Sequence, residues 1–189
     1  MQTIDALLSR RSRGLLGDPP PPPELLAQAF AAALAAPDHR LLRPWRYLVI
    51  EGEGLHELGE VFAHAARVDN PSLDIHDAER LRKMPLRAPM IIVAITVLKE
   101  DPKVPRDELL LSTGAAVQNL LLALHAGGYG AMWRTGPMAA HEQVRAALGI
   151  GSHELIAGFV YAGTPEGQVK PRVAPESAHF VRQWRRHDS

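Results

Sequence analysis

The sequence predicts an α+β domain, a central sheet flanked by helices, and three observations carry that reading. Continuous apolar runs rich in β-branched residues, above all "APMIIVAITVL" at 88–98 and "ELIAGFVYAG" at 154–163, have the composition of strands buried in a core. Between them lie segments with apolar residues at helical spacing, including a long one from Arg106 to His125. The 189 residues are 46% hydrophobic, enough for one sizeable core, and no internal repeat divides them. Residues 1–189 therefore read as a single domain, with 165–189 as a C-terminal arm.

A first helix is expected from about Thr3 to Arg10, with Thr3 as N-cap and Ile4, Leu7 and Leu8 on one face. The proline run after it cannot be helical. A second helix starts at Pro22 or Pro23, places Leu26, Phe30, Ala33 and Leu34 at helical spacing, and is stopped by Pro37. Trp45–Ile50 reads as a strand, and "EGEG" turns it into a helix near Leu55–Ala66 carrying Leu58, Val61, Phe62 and Ala65. The polar stretch 67–86 reads as a mobile short helix lying over another part of the chain. Ala88–Leu98 is the central strand.

The helix from Arg106 to His125 is apolar nearly all round, so one side meets the core and the other asks for a second surface, as in a dimer. "GGYG" ends it with a glycine cap, "AMWR" is strand-like, "HEQVRAALGI" is a short helix and "ELIAGFVYAG" the last strand. The arm holds Phe180 and Trp184 at helical spacing.

Lys+Arg and Asp+Glu both number 21, so no overall field holds a polyanion, which argues against nucleic-acid binding. Without cysteine there are no disulfides, thiolate zinc sites or thiol nucleophiles. The N-terminus carries Asp5 and lacks a signal peptide's apolar region, and the longest apolar run is interrupted by Gln118, Asn119 and His125. The expectation is a cytoplasmic protein with no membrane span.

"HE" occurs at His56, His141 and His153, but none has the second His four residues on that a zinc protease helix needs, so no metal site is expected. "VIEGEGLHELG" resembles a dinucleotide fingerprint, yet Glu57 stands at the third glycine and would repel pyrophosphate. Phosphate-loop and nucleophile-elbow patterns are missing. What remains is "RRSRG": Arg10, Arg11 and Ser12 offer guanidinium forks and a hydroxyl suited to a phosphate monoester. The plainer alternative is cation placement at a helix C-terminus.

Read together, "RRSRG", "AAPDHRLLRPWRYLVIEGEG", "RAPMIIVAI", "KVPRDELLLSTGAAVQNLLLALHAGGYGAMWRTG" and "GFVYAGTPEGQVKPR" resemble, in order and over nearly the whole chain, the FMN-dependent nitroreductase family, most of all its small-chain, YdjA-like branch. The resemblance implies a mainly antiparallel sheet in an intertwined homodimer with FMN at the interface. By resemblance, Arg10, Arg11 and Ser12 hold the FMN phosphate, and Ala35, Pro37, Asp38 and His39 lie near the flavin, although His39 also reads as a capping or core histidine. Trp133, Arg134 and Thr135 resemble the segment along the isoalloxazine edge. Lys170 and Arg172 match a second phosphate clamp, or else are solvated tail charges. Ala123, Leu124, His125, Ala126, Gly127 and Gly128 resemble a nicotinamide contact, and equally a helix C-terminus with its cap.

The implied activity is oxidoreductase: NADPH or NADH reduces the FMN, and a small aromatic acceptor, nitroaromatic or quinone, is reduced in turn by a ping-pong scheme. No protein acid or base is required. The alternatives are dehalogenation or flavin fragmentation on the same cofactor, or a non-enzymatic FMN-binding dimer. Arg43 departs from the Gln that many relatives carry, and residues 67–86 replace a larger helical excursion.

Overall fold

In the computed structural model, which describes residues 1–168 and 173–184, the sheet is built around the run of β-branched residues. Strand β3 (Met90–Val97) pairs antiparallel with β2 (Trp45–Glu51) on one side and with β5 (Glu154–Pro165) on the other. β5 also pairs antiparallel with β4 (Gly130–Arg134) and, at its end, with a two-residue strand β1 (Leu16–Gly17) that the sequence did not announce. All pairings between these strands are antiparallel, as the resemblance implied.

Alternation along β3 divides the core. Ile91, Val93 and Ile95 point into a cluster with Leu55, Leu58 and Phe62 of α3 (Glu53–Asp69), Phe159 of β5 and Val144 of α7 (Glu142–Ala147). Met90, Ile92 and Ala94 point the other way, against Ala29 and Ala33 of α2 (Pro23–Leu34) and Ala116, Val117, Leu120 and Leu124 of α5 (Arg106–Ala126). Each large apolar side chain so buried contributes about 1.5–3 kcal/mol. α5 is long and apolar enough to cross a membrane, but its buried stripe identifies it as the core helix of this layer.

Two features of β5 fix the positions of its neighbours. Ile95 pairs with Ile156 while its neighbour Ala94 pairs with Gly158, so Ala157 is an extra residue in a bulge. The indole Nε1 of Trp133 donates to the carbonyl of Ala157 at 3.1 Å. Gly158, at φ 155°, lies beneath that indole, where a Cβ would come within 2.1 Å of Nε1. Near the start of β5, Arg46 forms a bidentate pair with Glu154, Nε to Oε1 at 2.6 Å and Nη2 to Oε2 at 2.7 Å. The Glu154 side chain is 8% exposed, and the Arg46 guanidinium, aided by the Gly151 N–H, holds its carboxyl down at about 2.

Several expectations change. Helix α1 (Thr3–Ser9) ends one residue early, and Gln2 rather than Thr3 is its N-cap. Only Ala6 is buried on it, while Ile4 and Leu8 are 63% and 68% exposed. α3 runs further than expected at both ends, starting after Gly52 and reaching Asp69.

The 67–86 stretch does contain a short helix, α4 (Ile75–Arg82), but it is docked rather than loose. Asp74 caps it by accepting from the His76 N–H, and Ala78 and Leu81 are buried. Arg82 pairs with Glu60 of α3 and Glu79, and Gly59 lets its chain approach so closely that a Cβ would meet the Arg82 carbonyl at 2.3 Å. Phe180 and Trp184 do not share a helix: a single 3-10 turn, Ser177–His179, forms there, and both rings are exposed. Without a surface to bury them, two apolar side chains do not offset the cost of starting a helix.

Candidate functional site

The residues singled out by the sequence fall into groups strung along α5. At its C-terminal end, the chain leaving α1 runs beside β4: Ser12 bridges Ala131, and the Arg13 N–H donates to the Ala131 carbonyl at 3.0 Å. Arg11 Nη1 donates to the carbonyls of Leu8 and Arg10 at 2.7 and 2.9 Å, so it caps its own helix, as the plainer reading held. Its Nε is nevertheless buried without a partner among the described residues. Arg13, which sequence reasoning passed over, is fastened by Nη2 to the carbonyls of Glu166 and Gly167 at 2.6 and 2.9 Å. The signal was there in the two-residue spacing of Arg11 and Arg13, which puts both on one wall of an extended segment.

Those two arginines separate adjoining cavities. One, of about 300 Å³, is lined by Arg11, Ser12, Arg13 and Glu166 among others. The second, of about 250 Å³, is lined by Ser9, Arg11, Arg13, His125 and Tyr129 among others. His125 Nε2 and Ser9 Oγ share a hydrogen bond of 2.8 Å. Burial, and then the charges of Arg10 and Arg11, push the imidazole below its ordinary value.

The segment 123–128 thus has a structural account for most of its residues. Leu124 is core, Gly127 N–H closes on the Ala123 carbonyl, Gly128 at φ 87° turns the chain, and Ala126 is the last helical residue. His125 and Gly128 line the second cavity with Arg11 and Arg13.

At the other end of α5 stands the segment after α2. Ala35 and Pro37 are exposed at the helix stop. Asp38 Oδ2 accepts from the Arg43 N–H at 2.6 Å, while Asp38 Oδ1 is buried without a partner among the described residues. His39 Nδ1 donates to Glu108 Oε2, in the first turn of α5, at 2.7 Å. With its side chain 53% exposed, His39 is not a core histidine. Arg40, Leu41 and Arg43 all have left-handed backbone, with φ of 61°, 53° and 49°. Such non-glycine conformations each cost on the order of 1 kcal/mol and persist only where surroundings over-determine them. Here Arg40 Nε holds Asp101 at 3.1 Å and Lys99 Nζ holds the Leu42 carbonyl.

Between the ends, Trp133 lies with its ring edge towards Gly114 of α5 and is 38% exposed. The Arg134 guanidinium stacks over the Tyr161 ring, 5.6 Å from its centroid, and Thr135 is exposed before Gly136 at φ 91°. Lys170 and Arg172 lie outside the described residues.

The structure therefore places Arg10, Arg11, Ser12 and His125 at one end of α5, with Ser12 and His125 on different cavities, and Ala35, Pro37, Asp38 and His39 at the other, and it does not bring the two sets to each other. Glu108 and His125 mark their places on α5, and at 1.5 Å rise per residue those positions are about 25 Å apart.

Comparison with known proteins fits this geometry. The model of the Nitroreductase family matches residues 7–164. The chain is 36% identical over 185 residues to YdjA of Escherichia coli strain K12, named for NAD(P)H nitroreductase activity, covering 96% of this chain and 98% of that one. A nitroreductase-like family protein from Bacillus cereus superposes with a TM-score of 0.82 at 22% identity, over 96% of this chain and 95% of the other. NfnB of Sphigopyxis sp. strain HMH, an FMN and NADPH-dependent nitroreductase, gives 0.74 at 20% identity, over 97% and 99%. The last two speak to fold, and the first two to descent: with an antiparallel sheet of this order, and matched over most of its length, the chain belongs to the nitroreductase family.

Proposed function

We propose that this oxidoreductase depends on FMN, takes its electrons from NADPH or NADH, and passes them by a ping-pong scheme to a small aromatic acceptor such as a nitroaromatic or a quinone. The observation that carries the reading is the basic end of α5. There Arg11, whose buried guanidinium Nε has no partner among the described residues, the Ser12 hydroxyl and Arg13 border a cavity of about 300 Å³ that Glu166 also lines, and the three form a donor set suited to a phosphate monoester. FMN carries such a group, and its flavin, when bound, supplies the acceptance and onward donation of hydride.

The work of the chain is to bind, orient and exclude water. Arg10, Arg11 and Ser12 would hold the phosphate, with Lys170 and Arg172 as a second clamp. Trp133 offers a partly exposed indole held by its bond to the Ala157 carbonyl, and Arg134 and Thr135 continue that edge. Ala35, Pro37, Asp38 and His39 would meet the ring system, where Glu108 fixes the imidazole and leaves Nε2 to donate or accept outward.

The separation of the two sets along α5 supports a homodimer in which each site takes one set from each copy. Exposed apolar side chains at Ile4, Leu8, Leu111, Phe180 and Trp184 supply surface for such a contact.

The test is direct. The protein is purified without added cofactor, its visible absorption is recorded, and NADPH is added anaerobically. A flavin spectrum that bleaches supports the reading. A colourless protein that also fails to take up added FMN would overturn it.

A further inference from the structure

Arg11 and Arg13 serve two cavities, and the phosphate reading uses only one. The cavity with Ser12 takes the FMN phosphate on that reading, and the adjoining cavity of about 250 Å³, lined by His125 and not by Ser12, has no ligand assigned to it.

That second cavity suits an anion of its own. Arg13 is held at both ends: its backbone N–H donates to the Ala131 carbonyl and its Nη2 to the carbonyls of Glu166 and Gly167, so the guanidinium is fixed before any ligand arrives. Gly130 makes room for it, since a Cβ there would come within 3.2 Å of Arg13 Cβ. His125 Nε2 shares a hydrogen bond of 2.8 Å with Ser9 Oγ. When the hydroxyl donates it, the neutral ring keeps an N–H on Nδ1 for a ligand. A helix C-terminus by itself disfavours an anion, but here the carbonyls of Ala123, Leu124 and His125 are already taken by the N–H groups of Gly127, Tyr129 and Gly128.

The wall also selects among anions. In a dinucleotide, a free ribose 2′-hydroxyl is taken up by a carboxylate and a 2′-phosphate by an arginine. This cavity offers two arginines and, among the described residues, no carboxylate. It is too small for a whole dinucleotide and suits one phosphate with the group that bears it. A dinucleotide that sets its nicotinamide on the flavin sends its other end elsewhere, and a second anion cavity sharing a wall with the FMN phosphate gives that end a place.

We propose that this cavity receives the 2′-phosphate of NADPH, so that the enzyme prefers NADPH to NADH. The inference rests on the flavin and nicotinamide reading above, and it assigns His125 and Gly128 to the adenosine end of the dinucleotide rather than to its nicotinamide.

The probes are adenosine 2′,5′-bisphosphate, which carries the 2′-phosphate, and 5′-AMP, which lacks it. Each is titrated calorimetrically into the protein as purified and into FMN-saturated protein, for wild type and for His125→Glu. That substitution puts a carboxylate in this cavity and none in the one lined by Ser12. In parallel, kcat/KM is measured with NADPH and with NADH against one quinone acceptor, and FMN content is recorded.

The FMN-saturated wild type should bind the bisphosphate about tenfold or more tightly than 5′-AMP and prefer NADPH by a similar factor, and added salt should narrow both gaps. In His125→Glu both preferences should disappear while FMN stays bound. Equal affinity for the two nucleotides in the wild type, a bisphosphate that binds only FMN-free protein, or preferences that survive His125→Glu each overturn the proposal and leave the FMN site standing. A protein that takes up no FMN fails the flavin reading instead, and the nucleotide titrations, which need no flavin, still decide for or against the cavity. The wild-type comparison alone carries the test if His125→Glu does not fold.

Discussion

The two ends of α5 present opposite electrostatic problems. At the C-terminal end, Arg11 and Arg13 border two cavities, one lined by His125 with no carboxylate among the described residues and one lined by Ser12 with the single carboxylate of Glu166. At the N-terminal end, His39 is matched by Glu108 and Arg40 by Asp101, and the order comes from a strained loop rather than from surplus charge. An anion gains binding free energy at the first end and little at the second. On the proposed reading, the phosphate goes with Arg10, Arg11 and Ser12, and the flat, uncharged part of the same ligand with His39 and Trp133.

The largest expected effect lies at neither end and serves to separate stability from binding. Arg46→Ala leaves the Glu154 carboxylate buried without its partner, and denaturant unfolding should show a loss of about 3–5 kcal/mol. FMN affinity of the folded fraction should stay unchanged. The pair also has a pH signature. Because the Glu154 carboxyl is held at about 2, below its ordinary 4.5, the stability it contributes is complete above 4.5 and lost as pH falls towards 2. The stability gap between wild type and Glu154→Gln should close over that window in acid titrations followed by circular dichroism.

Next in size is Arg10→Ala, which should weaken FMN binding by about 1.5–3 kcal/mol in fluorescence titrations while leaving riboflavin binding as it was. Smaller again, His39→Ala should weaken FMN and riboflavin equally, by about 0.5–1.5 kcal/mol, because it acts on the ring. A His39 variant that separated the two ligands would reverse the assignment of the ends. Smallest is Arg40→Ala. Its exposed pair with Asp101 should be worth about 0.2–1 kcal/mol in thermal unfolding, with no effect on either ligand.

Much of the fold was legible because burial leaves a composition signature. The β-branched run of β3, the apolar length of α5 and the helix stop at Pro37 each follow from a local rule. What escaped depends on partners far away in the chain. β1 is two residues long and exists only because β5 passes beside it. The docking of α4 depends on Gly59 and Glu60, more than twenty residues earlier. Ile4 and Leu8 read as a core face because periodicity reports which side of a helix is apolar, not what covers it.

The same holds for the site. Arg10, Arg11 and Ser12 were found together because they are adjacent, but the approach of His125 to them joins positions 116 residues apart, Ser9 and His125. The left-handed run at Arg40, Leu41 and Arg43 contains no glycine to mark it, and its conformation is imposed by Asp38, Lys99 and Asp101.

The extra residue at Ala157 acts on β5 as an insertion acts on a reading frame. Before it, the even-numbered Glu154 and Ile156 share a face with Arg46 and Ile95; after it, the odd-numbered Phe159 and Tyr161 take over that face. Both halves of the strand are therefore in phase with β3 only because one residue is spent between them. The same residues paired without the bulge would turn the first half over, carrying Glu154 to the opposite face from Arg46. A chain lacking Ala157 would instead keep both halves in phase and lose only the carbonyl to which the Trp133 indole donates. Comparison of β5 with any sequence that lacks the bulge needs a single gap there, and without it every position from 154 to 156 is matched to a residue of the wrong side of the sheet.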